Sequence, residues 1–153
     1  MDYDPIPAPG AELISVRVHG QAFAIDIMAV REIRGWTGAT PLPHSPAHVL
    51  GVMNLRGAIL PVIDLGARLG LGATTPSPAS VVVVAQIGAA QVGLVVDAVS
   101  DILTVTEGLI QPTPDIGSDE ARAFVSGVMT IDNSIVSLLR LDQVPPPETQ
   151  AAA

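Results

Sequence analysis

The feature that most constrains the fold of this chain is an internal repeat. The stretch GVMNLRGAILPVIDL, residues 51–65, aligns with GVMTIDNSIVSLLRL, residues 127–141, with five of fifteen positions identical. Four further positions are exchanges among Leu, Ile and Val. Upstream, FAIDIMAVREI, residues 23–33, aligns with VGLVVDAVSDI, residues 92–102. Because the two matches follow the same order, we interpret the chain as two copies of one module.

Each copy has the pattern of about five short strands with Gly and Pro between them, which is typical of a small barrel. Residues 13–20, LISVRVHG, alternate and predict a half-buried strand with Ile14, Val16 and Val18 on its buried face. The chain has one Trp, one Tyr and two Phe, so small aliphatic residues must fill the interior. A module of about 65 residues is marginally stable alone, and we therefore expect the two to share apolar surface.

Short helices are predicted beside the repeated stretch. Ser45 is a suitable N-cap and Pro46 a suitable first helical residue, with Gly51 ending the helix. Residues 118–127, SDEARAFVSG, predict the corresponding helix of the second copy. Asp64 is predicted to cap a further short helix that follows it.

The repeated stretch contains a dipeptide that favours a hairpin turn. Arg56 and Gly57 occupy this place in the first copy, and DN, residues 132–133, occupies it in the second. The turn accounts for Gly57 and does not require Arg56. Pro61 lacks a backbone N–H and predicts an edge or a bulge, whereas the second copy has Ser137 there.

Composition excludes several classes of function. The net charge is −8, and the seven basic residues are all Arg, which argues against binding to nucleic acid. The chain has no Cys, so it has no disulfide and no thiolate ligand or nucleophile. The uncharged segment 69–96 is interrupted by Pro76 and Pro78 and is not expected to span a membrane. The acidic, Pro-containing N-terminus does not have the pattern of a signal peptide.

No residues form a convincing catalytic or metal site. His44 and His48 are four residues apart, but Pro46 lies between them and no acidic residue is near in sequence, so surface histidines are favoured over metal ligands. The sequence also lacks a nucleophile elbow and a phosphate-binding loop. We therefore expect no enzyme activity, no metal and no cofactor.

The chain resembles the CheW family of bacterial chemotaxis coupling proteins. The resemblance rests on AIDIMAVREIRG, HVLGVMNLRGAILPVIDLGARLG, VGLVVDAVSDIL and VSGVMTIDNSIVSLLRLDQV, which together extend over about residues 13–144. It implies an all-β domain in which two intertwined five-stranded SH3-like β-barrel subdomains, with short helices, surround a shared hydrophobic core. We expect one subdomain at about residues 13–76 and the other at about 77–144, with terminal strands able to cross over between them. Residues 1–12 and 145–153 are expected to be flexible tails.

The resemblance also implies a function. It indicates a non-catalytic cytoplasmic adaptor that couples the cytoplasmic tips of methyl-accepting chemoreceptors to the regulatory domain of the histidine kinase CheA, recruited to membrane-associated receptor arrays. Neither nucleic acid nor direct membrane insertion is implied. The receptor-binding residues carried over from the family are Val30, Glu32, Ile33, Gly51, Asn54, Arg56 and Ile102. No short motif marks the kinase-binding residues.

The residues alone leave other interpretations open. Val30, Ile33 and Ile102 could be core residues, Gly51 could only end a helix, and Arg56 could be a soluble turn residue. The chain could also be a CheW-like regulatory domain of a CheA or of a coupler fused to a receiver domain, although its initial Met and its length favour a separate protein. A ligand-binding β-barrel is the remaining alternative, and it would need a polar pocket.

Overall fold

The structure is a computed structural model that describes residues 6–113 and 123–145. Within these ranges the chain forms ten β-strands, one short α-helix and two 3-10 helices, and residues 123–124 are helical as well. The strands are β1 (Glu12–Val18), β2 (Gln21–Asp26), β3 (Val30–Gly35), β4 (Val49–Leu55), β5 (Ala58–Asp64), β6 (Val81–Ile87), β7 (Ala90–Val96), β8 (Ala98–Thr104), β9 (Val125–Ile131) and β10 (Ser134–Leu139). The helix α1 is Leu65–Arg68, and the 3-10 helices are Ile27–Ala29 and Leu141–Gln143.

The strands form two five-stranded sheets that exchange elements between the copies. The order is β8-β1-β2-β10-β9 in the first sheet and β3-β6-β7-β5-β4 in the second. Copy one supplies β1 to β5 and copy two β6 to β10, so each sheet combines the first hairpin of one copy with the last three strands of the other. The all-β prediction of two intertwined five-stranded units is confirmed. No helix in the described ranges is long and apolar enough to cross a membrane.

The boundary between the two sequence copies therefore does not coincide with the boundaries between the two sheets. A boundary near residue 76 separates the copies, whereas sheet membership changes before β3 and again after β7. Residues 1–5 and 146–153 of the predicted tails lie outside the described residues. Inside the first predicted tail, the Gly10 N–H donates to the Val105 carbonyl at 2.8 Å, and the Val105 N–H donates to the Ala11 carbonyl at 2.8 Å.

One hydrophobic cluster is common to both sheets. It joins β1 and β2 of the first sheet to β5, β6 and β7 of the second, and a smaller cluster lies within each sheet. Ile14 and Val16 point into the common cluster, as the alternation predicts, while Leu13 points into the cluster of the first sheet. Ser15 is buried as well. The strand is thus buried on both faces, because β1 lies inside its sheet and is covered from both sides.

The helix predicted after Ser45 is wrong. Residues 49–55 form β4 instead, and Gly51 lies inside this strand with φ of +140°, at a bulge in the pairing with β5. Thr40 and Val52 exchange backbone hydrogen bonds of 2.8 and 2.9 Å, and this pairing holds the segment in the sheet. A Cβ at Gly51 would overlap the Thr40 carbonyl, so close backbone approach explains the glycine.

Copy two repeats this arrangement. Gln111 and Val128 exchange backbone hydrogen bonds of 2.8 and 2.9 Å, and a Cβ at Gly127 would crowd Ile110 and the Gln111 carbonyl. Residues 118–122 of the helix predicted here lie outside the described residues, residues 123–124 are helical as predicted, and Val125 already belongs to β9. The duplication seen in the sequence is therefore a duplication of strand pairing.

The predicted cap at Asp64 is confirmed. The Asp64 carboxylate accepts a hydrogen bond from the Ala67 N–H at 3.3 Å, at the start of α1. Its second oxygen accepts from the Thr74 N–H at 2.7 Å, in the segment between the copies. One buried carboxylate thus anchors both the helix and the connection that follows it.

Pro61 does not mark an edge strand, because β5 lies between β7 and β4. The parallel ladder between β5 and β7 begins only at Val62, whereas in copy two it includes Ser137, the counterpart of Pro61. The register of the two ladders is the same, since Val62 pairs with Gly93 and its counterpart Leu138 pairs with Ala24. Both ladders contain three residue pairs, but the ladder of copy one begins two positions later, beyond Pro61, which has no N–H to donate.

Candidate functional site

The site begins at the hairpin turn between β4 and β5. Arg56 and Gly57 have φ angles of 52° and 87°, which is the geometry of a type I′ turn. The Asn54 side-chain oxygen accepts a hydrogen bond from the Gly57 N–H at 2.9 Å and stabilises the turn. The predicted turn is confirmed. It places Arg56 at the tip of the hairpin, where its side chain is 69% exposed.

Arg56 pairs with an acidic residue of another strand. Its guanidinium donates to the Glu32 carboxylate on β3 at 2.6 Å, and Arg34 approaches the other oxygen of that carboxylate at 3.3 Å. Strands β3 and β4 are the two edges of the second sheet. An ion pair between one edge and a hairpin at the other requires the sheet to curl, which is how a five-stranded sheet becomes a barrel.

The contacts among Glu32, Arg34 and Arg56 favour the ionised form of the carboxylate. The hydrogen bond from Arg56 lowers the pKa of Glu32 below its usual value, burial opposes the shift, and Arg34 adds to it. The same hydrogen bond raises the pKa of Arg56. Two guanidinium groups thus surround one ionised carboxylate, and the cluster is net positive on a chain whose net charge is −8.

Copy two has no equivalent of this cluster. The repeat aligns Glu32 with Asp101 and Arg56 with Asp132, and both aspartates are exposed. Two acidic residues cannot form an ion pair at neutral pH. The charged contact between β3 and the hairpin is therefore a property of copy one.

The other predicted site residues have different environments. Ile33 is 45% exposed on β3, beside Glu32, and Val30 is half-buried and packs against the common cluster. Gly51 is buried beneath the Thr40 carbonyl and offers no side chain. Ile102 is 58% exposed but belongs to β8 of the first sheet. The hydrogen bonds thus join Glu32 to Arg56 and hold Asn54 in the same hairpin, whereas Ile102 lies in the other sheet.

Two residues of this surface were missed from the sequence. Arg34 contacts Glu32, and the two-residue period of a strand, which places both on one face of β3, could have indicated it. Ile59 is 67% exposed and lies opposite Asn54 in the hairpin. Its exposure could not be inferred, because an apolar residue in an apolar run suggests the core.

No metal site is formed by the residues that the structure describes. Among them, no group of three or more His, Cys, Asp or Glu side chains converges. His44 is exposed in the loop before β4. The expectation that this protein binds no metal stays a prediction.

Comparison with known proteins identifies the family. The CheW-like domain matches residues 12–145. This chain belongs to the CheW-like domain family. A chemotaxis protein CheW from Rhizobium meliloti is 58% identical over 144 residues, which are 94% of this chain and 93% of that protein. A probable chemotaxis protein CheW from Rhizobium etli is 56% identical over 131 residues, or 86% and 84% of the two chains.

A solved CheW structure has the same architecture. The scaffolding protein TtCheW from Thermoanaerobacter tengcongensis matches with a TM-score of 0.78 and 30% identity, over 87% of this chain and 90% of that one. The resemblance to CheW and the prediction of a non-catalytic chemotaxis adaptor are thereby confirmed. These matches do not favour the alternatives of a regulatory domain from a larger protein or a ligand-binding barrel.

Proposed function

We propose that this CheW-family adaptor bridges the cytoplasmic tip of methyl-accepting chemoreceptors and the regulatory domain of the histidine kinase CheA. It acts in the cytoplasm, recruited to receptor arrays at the membrane. The observation that carries the receptor half of the proposal is the exposed Arg56 at the hairpin tip, held by Glu32 on β3. The ion pair gives a long, mobile side chain one defined position before the partner arrives.

The receptor-binding surface consists of the hairpin turn and the outer part of β3. Ile33 points to the opposite face of β3 from Glu32 and Arg34 and supplies exposed apolar area on the same edge strand, which suits the apolar stripe of a helical hairpin. Asn54 and Gly51 contribute by shaping the hairpin and the bulge below it. Val30 supports β3 from the core side, and Ile102 is a candidate at a separate place on the first sheet.

The kinase contact lies elsewhere on the adaptor, because one chain must bind both partners at once. The chain offers another five-stranded sheet, in which Asp101 on β8 and Asp132 in the β9–β10 turn stand in place of the Glu32 and Arg56 pair. This difference between the copies allows two partners to be distinguished by charge.

A reconstitution with purified components tests the proposal. We expect the chain to bind a receptor-tip fragment and a CheA regulatory domain separately, and to form a ternary complex in size-exclusion chromatography with light scattering. Competition between the two partners, or failure to bind either, would contradict the bridging role.

A further inference from the structure

Arg140, which follows β10, stands at a position of copy two where copy one has an acidic residue. The repeat aligns it with Asp64. The Asp64 N–H donates to the His48 carbonyl at 2.8 Å. In the same way, the Arg140 N–H donates at 2.7 Å to the carbonyl of Phe124, the counterpart of His48. The two side chains therefore begin at equivalent places in the two sheets but carry opposite charges.

The Asp64 side chain fastens the chain that leaves copy one. Its carboxylate oxygens accept hydrogen bonds from the Ala67 N–H at 3.3 Å and from the Thr74 N–H at 2.7 Å. Thr74 lies ten residues after Asp64, in the connection between the copies. One buried side chain thus holds this connection against the end of β5.

The Arg140 side chain has no comparable partner among the described residues. Its Nε is buried and has no hydrogen-bond partner there, and its guanidinium forms no ion pair with a described residue. A guanidinium is always charged and carries five N–H donors, and an unsatisfied buried donor is unfavourable. A carboxylate is the acceptor that best matches its planar fork.

The chain that leaves copy two is held at its start by a residue of copy one. Arg68 of α1 donates to the Val144 carbonyl at 2.6 Å and to the Gln143 carbonyl at 2.9 Å. It also donates to the Pro145 carbonyl at 3.4 Å. These contacts fix the place from which residues 146–153 continue. Because a short loop closes at low entropic cost, a group a few residues farther along is well placed to meet Arg140.

The sequence of residues 146–153, which lie outside the described residues, offers one ionisable side chain, Glu148. It comes eight residues after Arg140. Residues 145–147 are all Pro and have no N–H to donate, so an acidic residue at position 140 would find few donors in this segment. An arginine instead suits a segment that offers carbonyl groups and one carboxylate.

We propose that the Arg140 guanidinium binds the Glu148 carboxylate and fastens residues 146–150, the C-terminal strap, to the end of β10. The pair is the counterpart of the Asp64 contact with the charges exchanged. In copy one a carboxylate holds a backbone N–H of the following segment, and in copy two a guanidinium holds a carboxylate of the following segment. The pair requires no partner protein.

NMR relaxation of the full chain tests the strap. In wild type we expect heteronuclear NOE values of the Thr149 and Gln150 amides close to those of the β-strands. Glu148→Gln removes the charge and keeps the size of the side chain, and it should reduce these values to those of residues 151–153. Glu107→Gln, at an exposed position between β8 and β9, is the matched control and should leave them unchanged.

A double-variant cycle identifies the partner of the carboxylate. Arg140→Gln should lower the NOE values of Thr149 and Gln150 as Glu148→Gln does, and the double variant should lower them no further. The Arg140 Nε–H resonance should shift between wild type and Glu148→Gln. If Arg140→Gln fails to fold, this resonance decides the question, because Glu148→Gln changes no residue of the described strands.

Two results would overturn the proposal. One is a wild-type chain in which the NOE values of Thr149 and Gln150 are already as low as those of residues 151–153. The other is an Arg140 Nε–H resonance that does not respond to Glu148→Gln. If that resonance shifts only on addition of a CheA regulatory domain or of acetate, Arg140 binds a carboxylate from outside the chain and Glu148 is not its partner.

Discussion

At the scale of single residues, Arg56 has a backbone conformation that arginine rarely adopts. The first central position of a type I′ turn needs a positive φ, and Asn, Asp or Gly suits it better than Arg. Copy two has Asp132 and Asn133 in its turn, with φ angles of 50° and 65°. The advantage of arginine must therefore lie in its side chain, which binds Glu32 and remains mostly exposed.

Replacement of Arg56 by Ala should separate binding from folding. We expect the melting temperature to change by no more than about 2 °C, because the side chain is exposed and the turn depends on Gly57. Receptor affinity should fall about tenfold or more, while CheA affinity stays unchanged. Asp132→Ala is the matched control, since it changes the same position of the equivalent turn. Wild-type receptor affinity in Arg56→Ala would make Arg56 a soluble turn residue only.

Glu32 should make the free energy of unfolding of the protein dependent on pH. Because its pKa is lowered in the folded state, ionised Glu32 stabilises the fold above its ordinary pKa, and this contribution is lost as pH falls through the lowered value. We expect wild type to exceed Glu32→Gln in stability at about pH 7 and the difference to shrink at about pH 3. Urea unfolding at both pH values measures it. A difference independent of pH would show that the ion pair does not contribute.

At the scale of elements, one glycine decides how β4 joins its neighbours. Gly51 adopts a φ of +140° at the bulge, directly beneath the Thr40 carbonyl. The bulge lets β4 pair with β5 on one side and with Thr40 on the other. The hairpin that carries Arg56 is therefore oriented by a residue with no side chain.

Gly51→Ala should destabilise the protein by about 2 kcal/mol or more, since the new methyl group combines backbone strain with overlap against Thr40. Gly35→Ala is the control, because a Cβ there meets nothing within 4 Å. Chemical denaturation compares the two variants. Equal stability of both would contradict the tight approach of Thr40.

At the scale of the whole molecule, the two copies hold each other by exchanging hairpins. The first sheet takes β1 and β2 from copy one, and the second takes β6 and β7 from copy two. The common cluster then forms between them, with side chains from both sheets. A copy expressed alone would lack the partners of its own first hairpin.

Two fragments test this exchange. Fragment 1–76 follows the sequence copy and should show no cooperative melting, because it divides both sheets. Fragment 27–97 contains all five strands of the second sheet and should be the more ordered of the two, although its half of the common cluster becomes exposed. Circular dichroism and thermal melting compare them. A sharp transition in fragment 1–76 would show that the copies are autonomous.

The purified protein should bind no stoichiometric zinc and hydrolyse no nucleotide. The sequence has no Cys, and its histidines are not accompanied by acidic residues nearby in sequence. Inductively coupled plasma mass spectrometry and a phosphate-release assay measure both properties. Tight zinc binding that disappears in a His44→Ala, His48→Ala double variant would contradict this expectation.

The sequence by itself determined the duplication, the β class, the hairpin turns at residues 56–57 and 132–133 and the cap at Asp64, because each depends on neighbouring residues or on a repeated pattern. The sequence did not predict that Gly51 lies within a strand. The preference of Ser45 and Pro46 for a helix start was overridden by the long-range pairing of Thr40 with Val52. Likewise, Pro61 indicated an edge, while the order of β7, β5 and β4 placed it inside a sheet.

Only the tertiary structure decided which hairpin joins which sheet and that Arg56 meets Glu32. Both depend on residues far apart in the sequence: 24 positions separate the ion pair, and β2 pairs with β10 at the other end of the chain. The two copies have nearly the same strand pattern, so local preference is satisfied equally by separate or exchanged pairing. The exchanged arrangement brings both first hairpins into one common cluster, and burial of that shared apolar surface is the physical reason for the intertwined fold.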